Sequence, residues 1–165
     1  MARRIFYSFH FANDYWRTSQ VRNIGVVEDN APVSDNDWEA VKKKGDQAIK
    51  NWINDQLKGR SCTIVLVGAK TAGRKWINYE IRRSWNEGKG VVGIYIHRLK
   101  NRNGYQSQKG NNPFASFTMD RDQKKLSSIV KCYNPNTTSS KTAYGIIANN
   151  ISNWAEEAIK IRDNY

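Results

Sequence analysis

Residues 61–71 read SCTIVLVGAKT, and after Ala72 and Gly73 the chain continues as RKWINYEIRRSWNEG over 74–88. The first stretch is an unbroken β-branched and apolar run, which predicts a strand covered on both faces. The second repeats Ile77, Ile81 and Trp85 at helical spacing, which predicts a helix with one buried stripe. Trp76 and Glu80 stand four residues apart on it, so ring and carboxyl lie on one side of the helix, close to where the strand ends. Open α/β sheets bind ligands at the carboxyl ends of their strands. A plainer assignment competes: Trp76 can be a further core residue, and Glu80 can pair with Arg83 at the edge of the solvent face.

Outward from this unit the pattern repeats. RIFYSFHF (4–11) predicts a first buried strand, IGVVED (24–29) a second and VVGIYIHRL (91–99) another. NDYWRTSQVRN (13–23) is polar and mixed, and reads as a loop with a short helix. WEAVKKKGDQAIKNWINDQL (38–57) carries Val41, Ala48, Ile49, Trp52, Ile53 and Leu57 at helical spacing, with Asp35 or Asp37 available as a cap and Gly59 as a stop. KNRNGYQSQKGNNPF (100–114) is a polar segment with turn chemistry and few apolar anchors, expected among the less ordered parts. SSIVKCY (127–133) predicts a last strand, and 142–165 a closing helix with Ile147, Ile151, Trp154, Ala158 and Ile161 on its stripe. Strands alternating with helices predict an α/β, flavodoxin-like fold: a parallel sheet of about five strands, helices on both faces, TIVLVG and VVGIYI at its centre. With 165 residues, 39% hydrophobic content and six Trp, one domain over 1–165 is expected.

Charge and missing motifs narrow the function. A net charge of +12 favours anionic partners, but the basic residues are spread along the chain and form no single tract. The strand TIVLVG runs into Gly68, Ala69 and Lys70, so a phosphoacceptor aspartate is missing there. There is no Walker loop, no G-x-G-x-x-G after the first strand and no G-x-S-x-G. His10 and His97 have no metal-ligand partners at suitable spacing, so no metal site is expected. Cys62 and Cys132 read as reduced structural thiols. No stretch has signal-peptide or transmembrane character, and the expected location is cytoplasmic, without a membrane partner. Glu80 is the remaining catalytic candidate.

Three segments, in order, then carry a resemblance: RRIFYSFHFANDYWRTSQVRN (3–23), VLVGAKTAGRKWINYEI (65–81) and GKGVVGIYIHRLKNRNG (88–104). Together they resemble the stand-alone TIR-like proteins of bacterial Thoeris antiviral defence, over the first two-thirds of the chain, fading after Phe114. The resemblance implies a TIR-like domain that uses NAD⁺ as substrate, with no separate cofactor. It implies cleavage of the nicotinamide–ribose bond and a cyclic ADP-ribose-type signal, made upon phage infection, that activates a separate effector protein. It places the catalytic glutamate on Glu80 and substrate contacts on Phe9 and His10, with Arg17 and Arg22 further along, the two arginines being candidates for the pyrophosphate. Phe9, Trp76 and Trp38 are candidates for an aromatic wall that holds water off during cyclisation. The chemistry is self-consistent: a cationic nicotinamide leaves as a neutral base, so one carboxylate suffices to stabilise the ribosyl cation. Two other classes stay open, a non-enzymatic TIR scaffold that assembles with its own kind and a basic nucleic-acid-binding module; homo-oligomers on activation fit the first reading too.

Overall fold

A computed structural model describes residues 3–25 and 40–165. Four parallel strands, β1 (Ile5–Ser8), β2 (Cys62–Val67), β3 (Gly90–Tyr95) and β4 (Cys132–Tyr133), lie side by side in that order. The runs expected at the centre are there: β2 pairs β1 through Ile5 with Cys62, and β3 through Cys62 with Gly90. Residues 26–29 of the expected strand IGVVED lie outside the described residues, as do Asp35, Asp37 and Trp38.

The continuous apolar character of β2 has the anticipated cause. Cys62, Ile64 and Leu66 face a core closed by Val21 of helix α1 (Phe11–Arg22) and by Ala143, Ile147, Ile151 and Ala155 of helix α4 (Ser140–Asp163). Val65 and Val67 face the opposite core, where helix α3 (Lys75–Asn86) contributes Ile77 and Ile81. On that side Phe6 of β1 packs on Ile49, Ile53 and Leu57 of helix α2 (Asp46–Leu57). Helices thus cover both faces, as an all-parallel sheet requires.

Three local expectations are corrected. Residues 11–22 form one twelve-residue helix where a loop and a short helix were expected. Its buried stripe is Asp14, Arg17, Thr18 and Val21, and apolar periodicity does not show a stripe in which a buried aspartate and arginine pair with each other. The helix expected over 38–57 breaks at Gly45, whose φ of 91° is a conformation open to glycine, and α2 begins at Asp46. The expected strand 127–133 is a 3₁₀ turn (Leu126–Ser128) followed by only two paired residues, Cys132 and Tyr133. The turn lets Leu126 and Val130 both enter the α3-side core, which a continuous strand with alternating faces would also permit only at the cost of the Ile129 and Val130 bonds to the Leu126 carbonyl.

Segment 100–114 has anchors that composition did not show. Phe114 is fully buried over β3, against Gly93, where any side chain would collide with it. Ser107 N donates to His97 O at 2.9 Å, and Gln106 Nε2 reaches the carbonyls of Arg98 and Thr138.

Candidate active site

A cavity of about 690 Å³ opens at the carboxyl ends of β1 and β2. It exists because β1 runs directly into the first turn of α1, and β2 into a tight loop, 68–74, that starts α3. Phe6, Tyr7, Phe9, His10 and Phe11 line it from the β1 side. Lys70, Ala72, Gly73, Arg74, Lys75, Trp76, Ile77 and Glu80 line it from the β2 side, and Trp52, Lys42 and Arg22 complete it. Gly73, at φ 84°, makes the turn that brings the chain into α3.

Glu80 is 8% exposed. Arg83 does not pair with it, because Arg83 bonds Glu87 one turn on at 3.4 Å. Among the described residues its carboxyl has one partner, the Ser8 hydroxyl, which donates to Oε1 at 3.3 Å. Burial pushes the Glu80 carboxyl up from 4.5 to about 8, and the Ser8 bond offsets only part of this. Its main chain is fixed as well: Ser84 Oγ donates to the Glu80 carbonyl at 2.7 Å and shares a 2.7 Å bond with Thr63 of β2. The helix that carries the acid is therefore bolted to the strand whose end forms the cavity.

The rest of the lining has the opposite sign. Among the described lining residues Glu80 is the one acid, against Arg22, Lys42, Lys70, Arg74 and Lys75. Both bordering helices begin at residues without a side-chain cap, His10 for α1 and Arg74 for α3, so their positive ends stay available to an anion. His10 is held below its ordinary pKa, first by burial and then by Arg74 and Lys70. At neutral pH the acid is thus largely protonated and the imidazole neutral. A protonated carboxyl surrounded by aromatic walls and cations is poised for a ligand that is anionic in one part and cationic in another.

The sequence candidates fall into three groups. Glu80, Trp76, Phe9, His10 and Arg22 all line the cavity. Trp76 is only partly buried; it meets Tyr79 edge-on at 5.8 Å and carries Lys75 over its ring at 4.9 Å, so it serves core and cavity together. Arg22 sits over the rings of Phe9 at 5.8 Å and Tyr7 at 6.0 Å. Arg17 is elsewhere: it is 3% exposed and its guanidinium is spent on Asp14 and on the carbonyls of Leu99 and Tyr105. Trp38 lies outside the described residues. Sequence reading missed Lys42, Trp52, Lys70 and Arg74 as lining residues. The basic start of the α3 segment, Arg74-Lys75 directly ahead of Trp76, was the signal available for one of them.

The two apolar strands and the W-x-x-x-E helix, argued above from residues alone, and the residues after β1 that the resemblance singled out all fall in one matched region. A family model described as Thoeris protein ThsB, TIR-like domain, matches residues 6–101, a span that holds every described lining residue of the cavity. A protein of Bacillus cereus (strain MSX-D12), provisionally named cyclic ADP-D-ribose synthase ThsB1, is 41% identical over 119 residues, covering 69% of this chain and 62% of that relative. The chain thus spans about six-tenths of the relative's length. Because the family model takes in more than half of the sequence together with the whole described cavity wall, the chain belongs to the ThsB TIR-like family of Thoeris proteins.

Proposed function

We propose that this chain is an NAD⁺-cleaving enzyme of antiphage defence that releases nicotinamide and forms a cyclic ADP-ribose-type product, with Glu80 as its catalytic carboxylate. The observation that carries this reading is the single buried carboxyl of Glu80 in an aromatic cavity whose other charged lining residues are cations. NAD⁺ matches both halves: its pyrophosphate suits the α1 and α3 N-termini with Lys70 and Arg74, and its cationic nicotinamide riboside suits the carboxyl. Arg22 is the arginine retained for the pyrophosphate. Arg17, whose donors are already used, drops out of that role.

The cleavage needs no acid on the leaving group. The electrons of the C1′–N bond pass to the nicotinamide nitrogen, which leaves neutral, and the positive charge moves to the ribose. A substrate cation beside Glu80 favours loss of the Glu80 proton, and the carboxylate then faces the ribosyl cation. Phe6, Phe9, Phe11, Trp52 and Trp76 line the space in which the adenosine half would return as nucleophile with water held off. The relative named above is called a cyclic ADP-D-ribose synthase, which supports a cyclic product. The diffusible product is the proposed link to a separate effector, and activity is proposed to depend on the infection signal or on assembly of copies of this chain. The nucleic-acid reading loses ground because β1, β2 and β3 are buried on both faces and so present no surface of their own on which bases could stack. Among the described residues no helix is long and apolar enough to cross a membrane.

Purified protein incubated with NAD⁺, with and without lysate of phage-infected cells, tests the reading by mass spectrometry of the products. Nicotinamide together with a cyclic ADP-ribose isomer is expected. Intact NAD⁺ under every condition would leave the scaffold reading in its place.

A further inference from the structure

Three segments far apart in the chain meet at Gly68, directly after β2. A Cβ on Gly68 would lie 2.0 Å from Asp14 Oδ2 of α1, and a Cβ on Gly110 would lie 2.1 Å from the Gly68 carbonyl oxygen. Neither glycine has a positive φ, so each is required for closeness of approach and not for backbone conformation. Asp14 cannot withdraw. It is fully buried, and its Oδ1 accepts from Arg17 Nη1 at 3.2 Å. Arg17 in turn donates through Nε to Leu99 O at 2.8 Å and through Nη2 to Tyr105 O at 2.9 Å. One guanidinium therefore ties α1 to the start of the 100–114 segment, whose far end is pinned by the buried Phe114. Inside the 68–74 loop, Gly68 N donates to Oγ1 of the fully buried Thr71 at 2.8 Å. The loop is thus gripped at its base between α1 and segment 100–114, and its free part carries Lys70, Ala72, Gly73 and Arg74 into the cavity wall.

We propose that the Asp14 and Arg17 pair, together with Gly110, forms a clamp that positions the 68–74 loop so that Lys70, Arg74 and the α3 N-terminus meet the anionic part of the substrate. The proposal rests on the reading of the cavity as an NAD⁺ site. These are positioning residues: none of Asp14, Arg17 and Gly110 lines the cavity. Of the three clamp residues, Gly110 lies beyond residues 6–101, the segment matched by the family model. Small misplacement of a binding group costs affinity steeply, which is why a junction of this kind acts on substrate binding more than on the chemical step.

The test uses Gly110→Ala and Arg17→Lys in the full chain, with Gly145→Ala as control, since a Cβ there meets nothing within 4 Å. Gly110→Ala forces its methyl into backbone atoms of Gly68 and Ala69; Arg17→Lys keeps the charge beside Asp14 and loses the fork. Hydrogen exchange should quicken in 68–74 and 100–114 and stay unchanged in β3 for both clamp variants. KM for NAD⁺ should rise roughly tenfold with kcat within about twofold, the split expected of lost positioning. Unchanged exchange in 68–74 would overturn the clamp, and so would quickened exchange with unchanged KM, which marks a merely structural junction. If Gly110→Ala does not fold, Arg17→Lys carries both measurements. If the parent chain cleaves no NAD⁺ under any condition, the cavity reading and the substrate-binding role fall with it, while exchange still decides whether the loops are mechanically coupled.

Discussion

Replacing Glu80 by Gln should remove activity and at the same time stabilise the protein at alkaline pH. The folded protein holds the Glu80 carboxyl at about 8, against 4.5 for an unperturbed glutamate, because burial disfavours its charge. Between those two values the folded state binds more protons than the unfolded chain, so stability falls as pH rises through that window, and the full penalty is present above pH 8. A shift of this size corresponds to roughly 5 kcal/mol above pH 8, and linkage leaves about 3 kcal/mol of it at pH 7 and almost none at pH 4. Glutamine has the shape of glutamate and never ionises. Its amide oxygen can still accept from Ser8, so the variant avoids the penalty without losing that partner. For a chain of this length the gain appears as a rise in Tm of about 10–20 °C at pH 8 that shrinks to nothing near pH 4. Activity should move the other way, with nicotinamide release reduced ~10²-fold or more through loss of the charge facing the ribosyl cation. Calorimetric scans from pH 4 to 9, paired with product analysis under conditions where the parent is active, make the comparison. Full activity in the variant would take Glu80 out of the mechanism. A Tm difference independent of pH would refute the buried-charge account, since it would mean that Glu80 keeps an ordinary carboxyl pKa in the fold.

The same electrostatics predict that kcat/KM for NAD⁺ rises with pH through a midpoint near 8, the free-enzyme value for Glu80; a flat profile between pH 6 and 9 would contradict it. Ser8→Ala removes the hydroxyl that donates to the Glu80 carboxyl, so that midpoint should move upward and activity at pH 7 fall several-fold, roughly in proportion to the lost ionised fraction. Lys70→Ala with Arg74→Ala should raise KM for NAD⁺ about tenfold or more while largely preserving kcat, and an unchanged KM in steady-state assays would place the pyrophosphate elsewhere. Gly90→Ala should cost ~1–3 kcal/mol in denaturant unfolding, because its methyl would lie 2.7 Å from Ile159 N and 2.9 Å from Ala158 C where α4 crosses β3; a neutral result would show that α4 can shift.

What the sequence determined by itself is what local periodicity and unbroken apolar runs encode. β2 and β3 could be read as central strands because a parallel sheet buries both faces of each, so every position from Cys62 to Val67 must be small or apolar. The placement of Trp76 and Glu80 together, near the end of β2, followed from helical geometry and from the rule that open sheets bind ligands at that edge. Only the tertiary structure decided what each polar residue does. Whether Glu80 met Arg83 or was buried beside Ser8, 72 residues away in sequence, depends on β1 lying next to β2. Arg17 and Arg22 look alike in the chain, five positions apart on one helix. One is consumed by carbonyls of Leu99 and Tyr105 and the other lines the cavity, because the faces of α1 that carry them meet different neighbours. The polar stripe of α1 and the polar anchors of segment 100–114 were invisible for a shared reason: a polar or charged side chain is tolerated in a core when it finds hydrogen-bond partners, but those partners are chosen by the fold and leave no period in the sequence.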